Sequence, residues 1–219
     1  MKTLLLALLL LSSTAMSFEF DIGIGQSIYS RPENGIWYQN GFENDFKMQT
    51  VSASFGINDY IYENLKYRAG YMNLGNVSSY ALAVARDDNY NGVDGCIGPC
   101  LPLSHFYGTG KVEGLYATLQ PQYKINSVTL FLEGGLWLYR PTFSMIVPDA
   151  RSCAVGCDYY VHNESENDLY IGPVFGFGAR YKNIEIAVTF WRVDSYGTDE
   201  KKIPIYQSLT NNISIRSLF

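Results

Sequence analysis

The stretch LTNNISIRSLF, residues 209–219, decides the fold. Side chains of an extended strand alternate between two faces with a period of two. One face of this strand therefore carries Ile213, Ile215 and Phe219, whereas the opposite face carries polar side chains and the charged Arg216. This alternation predicts a β-strand with one face in an apolar environment and the other in a polar one.

The N terminus has the features of a signal peptide. Lys2 precedes an apolar run over residues 4–11, and small residues follow, with Ala15 and Ser17 at the two small positions of a cleavage site. We therefore expect cleavage after Ser17, which leaves one domain of 219 − 17 = 202 residues, 18–219. The apolar run is too short to cross a bilayer as a helix. Because no cysteine follows the cleavage site, a lipoprotein anchor is not indicated.

Composition favours a membrane barrel over a soluble exported protein. Aromatic residues make up 15% of the chain and charged residues 17%, whereas a typical soluble domain has about 25% charged residues. The 18 tyrosines and 12 phenylalanines are sufficient for interfacial aromatic girdles. Loss of Lys2 leaves 15 basic against 21 acidic residues, a net charge of −6. That balance argues against a nucleic-acid partner, which would require a basic stripe.

Eight segments alternate apolar and polar residues with a period of two. They are residues 18–29, 49–57, 65–74, 112–123, 128–139, 168–181, 184–194 and 209–219. Long connections follow the odd-numbered segments and short ones follow the even-numbered segments, so all long loops lie at one end. The long loops are predicted over residues 30–48, 75–111, 140–167 and 195–208. We expect Pro121 to end strand pairing, because proline removes a ladder hydrogen bond. The pattern predicts an all-β, eight-stranded antiparallel up-and-down transmembrane β-barrel with its N terminus in the periplasm.

The whole mature chain resembles the small eight-stranded bacterial outer-membrane β-barrel proteins, the class that includes the OmpA transmembrane barrel and the OmpX-type surface proteins. The strand that ends at Phe219 resembles their closing strand, which pairs with the first one. The segments GIWYQNGF and NGVDGCIGPCLPLSHFYGTG are also similar to uncharacterised barrels with phage-encoded members. The first resemblance implies a location in the bacterial outer membrane, contact with its lipid and lipopolysaccharide, and recognition of the terminal strand by the barrel-assembly machinery. It implies no cofactor.

Charged residues on the inward faces predict an ion-pair network inside the barrel. An eight-stranded barrel is just wide enough for its own side chains, so we expect the interior to be plugged and not a water-filled channel. Enclosed charges are costly unless they are paired. The four acids and four bases of the predicted network are Glu19, Asp21, Glu133 and Glu185, and Lys66, Arg68, Arg180 and Arg216. The alternative is an ion pathway or narrow pore.

Four cysteines lie in the second and third predicted loops. In an exported chain they predict two disulfides, and local pairing of Cys96 with Cys100 and of Cys153 with Cys157 is favoured over a cross-loop pair. A four-thiolate zinc site is the alternative that the spacing permits.

The loop sequence DDNYNGVDG matches the start of a calcium-binding loop. Asp87, Asn89 and Asn91 would supply oxygen ligands, but Gly98 stands where the bidentate glutamate is expected. A solvated polar loop tip is therefore the favoured interpretation.

Two histidines raise the alternative of an outer-leaflet enzyme. Lipid A palmitoyltransferase and lipid A deacylase are also small barrels, and their chemistry needs a nucleophile beside a base. His105 follows Ser104, and His162 lies three residues before Ser165. Neither pair forms an ordered family motif, so we predict no catalytic residues and no enzymatic activity.

Aromatic residues in the long loops are candidates for surface recognition, since loops on a rigid scaffold often bind ligands. The candidates are Trp37, Tyr38, Tyr90, Phe106, Tyr159 and Tyr160. The alternative is an interfacial aromatic girdle. The sequence thus predicts a closed outer-membrane barrel whose long extracellular loops mediate surface structure or bind a surface ligand.

Overall fold

The computed structural model describes residues 18–29, 44–84, 103–152, 158–166, 168–193 and 209–219. The predicted signal peptide and its cleavage site lie outside these residues. The described chain contains ten strands. They are β1 (Glu19–Ile28), β2 (Asn44–Lys47), β3 (Gln49–Tyr62), β4 (Leu65–Val84), β5 (Leu103–Ile125), β6 (Val128–Ser152), β7 (Asp158–Glu166), β8 (Tyr170–Tyr181), β9 (Ile184–Arg192) and β10 (Leu209–Leu218).

Eight of these strands form a closed antiparallel ring. Around the ring the order is β1, β3, β4, β5, β6, β8, β9 and β10, and β10 pairs with β1. The closing pair aligns Ile24 with Ile215. The short strands β2 and β7 pair with the outer parts of β4 and β6. The predicted eight-stranded up-and-down transmembrane β-barrel is confirmed.

The outer face of the ring is apolar along the middle of its strands. Leu132 on β6 is 63% exposed, and its outward neighbours on adjoining strands are similarly uncovered. Ten residue steps separate Val128 from Leu138; at a rise of about 3.4 Å and a tilt of about 40° they give an apolar belt roughly 26 Å tall. That height matches the hydrocarbon-facing band of an outer-membrane barrel.

Polar and aromatic residues border this apolar belt. At the end of the short turns, exposed aromatic side chains form a girdle: Tyr62, Tyr123, Tyr181 and Phe219. At the opposite end, the first outward polar residue on seven strands forms an outer collar. The outer collar consists of Gln26, Gln49, Asn73, Glu113, Arg140, Arg192 and Asn211. Because long connections lie beyond the collar, that end is the extracellular one.

The strands on one side of the barrel continue well beyond the outer collar. β4 runs to Val84, β5 starts at Leu103 and β6 runs to Ser152. The predictions of loops over residues 75–111 and 140–167 were therefore wrong over much of their length, and β2 likewise lies inside the predicted loop 30–48.

Gly75 explains why a loop was predicted where the strand continues. Its φ of +86° lies in the left-handed region that glycine adopts easily. The register shifts between Asn73 and Asn76, and the Gly75 N–H donates a 2.8 Å hydrogen bond to Asn73 Oδ1. These are the features of a β-bulge, which inserts one residue and lets the pairing resume.

At the periplasmic end the strands also differ from the prediction. β3 continues to Tyr62, so Asn58 belongs to a strand and not to the predicted turn. Pro121 does not end strand pairing, contrary to the prediction. The β5–β6 pairs skip positions 120 and 121 and resume from Gln122 to Ile125, while the Gln122 N–H donates to the Asn64 carbonyl oxygen at 2.8 Å on the β4 side. Proline removes one ladder hydrogen bond, and here the interruption faces β6. The described part of the chain contains no helix able to cross a membrane.

A charge on the apolar belt tests the membrane-facing surface. Leu132→Arg should lower the free energy of unfolding by about 2–4 kcal/mol, because the side chain lies near mid-height of the belt. The matched control Ile146→Arg changes an exposed outward residue of the same strand beyond the collar and should cost about 0–1 kcal/mol. Both are measured by denaturant titration in phospholipid vesicles. Equal losses would contradict the assignment.

Candidate functional site

The barrel interior contains most of the charged side chains singled out from the sequence. Alternation turns every second side chain inward, and in a narrow closed barrel inward side chains from different strands meet. Buried acids on β1, β6 and β9 thereby face buried bases on β4 and β10. They are Asp21, Glu133 and Glu185, and Lys66, Arg68 and Arg216.

Glu133 lies between two guanidinium groups. Arg68 Nη1 is 3.5 Å from Glu133 Oε1, and Arg216 Nη1 is 2.9 Å from Glu133 Oε2. Arg68 also binds Asp21 with two hydrogen bonds, Nη2 to Oδ1 at 2.5 Å and Nε to Oδ2 at 3.0 Å. Two parallel bonds between an arginine and a carboxylate fix the orientation of both groups.

The chain of charges continues toward the periplasmic mouth. Arg216 Nη1 is 3.7 Å from Glu185 Oε2, and Lys66 Nζ is 3.8 Å from Glu185 Oε1. Lys66 Nζ is also 3.0 Å from Glu19 Oε2, where the glutamate side chain is 39% exposed. These contacts connect seven residues into what we call the interior network: Glu19, Asp21, Lys66, Arg68, Glu133, Glu185 and Arg216.

Neutral side chains complete the hydrogen bonding of two acids in the interior network. Asn58 Nδ2 donates to Asp21 Oδ2 at 3.2 Å, and Thr118 Oγ1 donates to Glu133 Oε1 at 3.0 Å. Asn58 was not among the predicted interior residues, because it falls in the short connection expected between segments 49–57 and 65–74. Its position in phase with the inward Ser54 was the signal that could have identified it.

Tyr116 packs against the network from β5. The Arg68 guanidinium lies 4.7 Å from the centroid of the Tyr116 ring, a cation–π distance. Gly70 makes room for this contact. A Cβ at Gly70 would lie 2.7 Å from the Tyr116 hydroxyl oxygen and 2.2 Å from the Phe55 carbonyl oxygen. The close approach of the strands here therefore requires glycine.

Charge is balanced within the buried part of the interior network. Three buried acids face three buried bases, and each has an oppositely charged partner, which offsets the cost of removing them from water. Some polar atoms are left over. Among the described residues, Gln120 Nε2, Gln120 Oε1 and Arg216 Nε have no hydrogen-bond partner. Enclosed polar atoms of this kind are the usual partners of buried water.

Arg180 does not join the interior network, contrary to the prediction. It is half-buried at the periplasmic mouth, where Nη2 donates to the Tyr60 hydroxyl and, at 3.4 Å, to Gln122 Oε1. Within the part of the chain that the structure describes, no acid forms an ion pair with it. Glu185 is its neighbour across the β8–β9 hairpin, but the carboxylate of Glu185 is directed to Lys66 and Arg216.

An aromatic layer covers the interior network on its extracellular side. Ring centroids are 5.6 Å apart for Tyr116 and Trp191, 4.9 Å for Trp137 and Trp191, and 4.4 Å for Trp137 and Tyr139. Trp137 Nε1 donates to the Arg192 carbonyl oxygen at 3.0 Å, and Trp191 Nε1 donates to a threonine hydroxyl at 2.9 Å. Buried apolar residues continue the packing beyond this layer: Tyr29, Met72, Leu74, Val77, Val112, Phe143, Val174 and Val193.

Most of the extracellular site predictions lie outside the described residues. This applies to the four cysteines, the calcium candidates and three aromatic residues: Cys96, Cys100, Cys153, Cys157, Asp87, Asn89, Asn91, Trp37, Tyr38 and Tyr90. Among the residues that are described, no group of three or more His, Cys, Asp or Glu side chains could hold a metal ion.

The remaining aromatic candidates lie in strands and not in loops. Phe106 belongs to β5, and Tyr159 and Tyr160 belong to β7, which pairs with the outer part of β6. On the outer face of the same sheet, His105 packs beside Tyr107, with ring centroids 6.5 Å apart. The recognition candidates on these strands therefore belong to an extended sheet.

Comparison with known proteins gives matches of fold only. No family model matches the chain, and no curated protein does. Among solved structures, Neisserial surface protein A is 11% identical, with a TM-score of 0.46 over 92% of this chain and 97% of that one. Ail of Yersinia pestis, in complex with the heparin analogue sucrose octasulfate, is 14% identical, with a TM-score of 0.40 over 93% and 100%. The translocator domain of the autotransporter NalP from Neisseria meningitidis is 12% identical, with a TM-score of 0.27 over 100% and 94%.

Removal of the central carboxylate tests the energetic role of the interior network. Glu133→Ala should lower the free energy of unfolding by about 3–5 kcal/mol, because two buried guanidinium groups lose their shared partner. The matched control is Glu113→Ala, which breaks a partly exposed ion pair with Lys111 and should cost about 0–1 kcal/mol. Both losses are measured by denaturant unfolding in detergent micelles. A similar loss for the two variants would contradict a stabilising role of the interior network.

Proposed function

We propose that this protein is a bacterial outer-membrane barrel with a plugged interior, whose extracellular end mediates surface recognition. It reaches that membrane after cleavage of a signal peptide near Ser17, and its final strand is recognised by the barrel-assembly machinery through Phe219. Outer-membrane lipid and lipopolysaccharide surround the apolar belt, and a surface ligand binds at the extracellular end.

The filled interior is the observation that supports the plug most directly. In the described residues the seven-residue interior network and the aromatic layer above it occupy successive levels of the lumen. Eight strands leave an interior only wide enough for side chains. Ions would have to break paired charges and then displace packed indole rings to pass. The proposal therefore favours a scaffold over a conducting pore.

The extended sheet supports the recognition part of the proposal. Twelve residue steps separate Arg140 in the outer collar from Ser152 at the end of β6, a length of about 40 Å along the strand. β4, β5 and β7 accompany β6, so the extension is a hydrogen-bonded sheet and a rigid support for side chains. Binding residues are often found on segments held by such a scaffold. Of the aromatic candidates, Phe106, Tyr159 and Tyr160 belong to these strands, and Tyr90 lies between β4 and β5 in the sequence.

Planar-bilayer recording tests the plug. The purified, refolded protein should insert without producing stable single-channel steps, because the interior is filled and its charges are paired. The same preparation must show the heat-dependent electrophoretic shift of a folded barrel, so that silence does not reflect failed folding. Reproducible unitary steps would overturn the plugged interior and favour the narrow-pore alternative.

Shortening of the extended sheet tests recognition. Bacteria that display the full chain should adhere to immobilised extracellular-matrix protein more than bacteria whose β4–β5 hairpin is replaced by a tight turn beyond Ser79 and Gly108, which are paired. A matched control changes Leu130→Ala on the apolar belt, far from the extension. Equal adhesion of the full and shortened chains would overturn this part of the proposal.

The expectation that the protein is not an enzyme has a separate test. Overexpression should leave the mass spectrum of lipid A unchanged. Removal or addition of an acyl chain would favour the lipid-modifying alternative instead.

A further inference from the structure

A groove of about 450 Å³ lies on the outer face of the extended sheet, directly beyond the outer collar. Its outward side chains come from three neighbouring strands: Asn76 and Ser78 on β4, Thr109 and Lys111 on β5, and Thr142 and Ser144 on β6. The volume falls within the range of about 300–1,000 Å³ that small-ligand sites occupy. No residue of the interior network or of the aromatic layer lines this groove.

The register of the three strands explains the shape of the groove. Ser78, Thr109 and Ser144 pair directly across the sheet and form a row of small side chains. The next row outward is tall, because Tyr80 pairs with Tyr107, and their rings lie 5.4 Å apart. Small side chains between taller neighbours produce a depression on this face of the sheet.

The row on the membrane side of the depression consists of polar side chains, some of them long. Asn76, Lys111 and Thr142 pair across the three strands, and Thr142 Oγ1 donates to the Lys111 carbonyl oxygen at 3.5 Å. The Lys111 side chain is 40% exposed. The groove therefore lies between a cationic polar row and an aromatic row.

The chemistry of the lining fits a saccharide. Hydroxyl and amide side chains can donate and accept hydrogen bonds, as the hydroxyl groups of a sugar require. Tyr80, Tyr107 and His105 add an aromatic wall with polar edges. A purely apolar ligand would leave this polar lining without partners.

The charges next to the groove favour an anionic group on that saccharide. Arg140 lies directly opposite Glu113 in the β5–β6 register of the outer collar, and Lys111 Nζ is 3.0 Å from Glu113 Oε1. Glu113 is already engaged, since Oε2 accepts from the Tyr71 hydroxyl at 2.7 Å and from Asn73 Nδ2 at 3.4 Å. Hydrogen bonds from Tyr71 and Lys111 keep the pKa of the Glu113 carboxyl below its usual value. The exposed Lys47 and Asp45 on β2 lie opposite Ser78 and Tyr80, so three cations and two anions leave a net positive charge beside the groove.

The position of the groove favours a membrane-bound ligand over a soluble one. Leu115 and Leu138 pair directly below the outer collar and belong to the apolar belt. Only the collar row separates these lipid-facing residues from the polar rows of the groove. A headgroup in the groove would therefore have its acyl chains beside the apolar belt, at the level where outer-leaflet lipids lie.

We propose that this groove binds the phosphorylated saccharide headgroup of an outer-leaflet glycolipid. Lys111 and Arg140 contact the phosphate, the small hydroxyl row contacts the sugar, and the Tyr80–Tyr107 wall limits the site on the extracellular side. This inference rests on the outer-membrane location in the proposed function, but it does not depend on the plug or on adhesion.

Native mass spectrometry of the detergent-solubilised barrel tests this site with defined probes. The probes are diphosphorylated lipid A, dephosphorylated lipid A, phosphatidylglycerol and soluble glucosamine 1-phosphate. Wild-type protein should bind diphosphorylated lipid A more tightly than the other three. Lys111→Gln should weaken that binding by about tenfold, the loss expected for one charge-assisted hydrogen bond, and should leave binding of dephosphorylated lipid A unchanged.

Two further variants separate groove shape from charge. Ser144→Tyr fills the groove without changing charge and should weaken binding of both lipid A forms. Ser78→Tyr fills it from β4, on the opposite side of the groove, and replaces Ser144→Tyr if that variant fails to show the heat-dependent mobility of a folded barrel. The matched control is Lys124→Gln, which removes an exposed lysine at the periplasmic end of the same strand, β5, and should leave binding unchanged.

Several results would overturn the site. Equal weakening by Lys124→Gln and Lys111→Gln would indicate nonspecific attraction to positive charge. Binding of phosphatidylglycerol as tightly as diphosphorylated lipid A would exclude recognition of the saccharide, and equally tight binding of glucosamine 1-phosphate would favour a soluble ligand. Lys111→Gln should leave bilayer conductance and bacterial adhesion as they are in the wild type, so failure of this site is distinguishable from failure of the proposed function.

Discussion

Closure of the strand ring is the constraint on which the rest of the structure depends. Hydrocarbon offers no hydrogen-bond partner, so every backbone N–H and C=O group at that depth must be paired within the wall. The last strand meets this requirement by pairing with the first. At its end, the Phe219 N–H donates to the Phe20 carbonyl oxygen at 2.8 Å, and the Phe20 N–H donates to the Phe219 carbonyl oxygen at 3.1 Å. The terminal phenylalanine therefore completes the wall as well as the periplasmic aromatic girdle.

Closure with eight strands also determines what the interior can contain. The lumen is narrow, so inward side chains from different strands contact each other. Charges in such a space must be paired with opposite charges, and Glu133 shows how this is done, with Arg68 on one side and Arg216 on the other. Glycine at position 70 allows the wall to approach Tyr116 closely enough for the ring to cover the Arg68 guanidinium. The chemistry of the interior thus follows from the number of strands.

The extracellular side shows how one sheet serves two environments. The bulge at Gly75 lets β4 pass from lipid-facing to extracellular surroundings without losing its pairing with β5. On β4, β5 and β6 the outward residues directly below the outer collar are Tyr71, Leu115 and Leu138, whereas the two rows directly beyond it contain asparagine, lysine, threonine and serine. Since the same strands carry both surfaces, a groove beyond the collar is held at a constant height above the bilayer. A fixed height is what the proposed binding of an outer-leaflet headgroup requires.

The sequence by itself determined the strand class and the direction of the side chains within the predicted strands, because a period of two in one short segment is a local property. The closing role of residues 209–219 was implied by the resemblance to outer-membrane barrels. Of the eight charges that the sequence places inside the barrel, six are buried, and a seventh, Glu19, forms an ion pair with Lys66 at the periplasmic mouth. Only the tertiary structure decided which charges pair, since Arg180 and Glu185 are neighbours across a hairpin and yet the Glu185 carboxylate is taken by Lys66 and Arg216. The length of β4, β5 and β6 could not be predicted from local sequence either, because glycine and proline are typical of loops. In the structure, pairing with adjacent strands keeps the chain extended through Gly75 and Pro141. Both the pairing of the interior charges and the length of these strands depend on contacts between residues far apart in sequence, which no local pattern encodes.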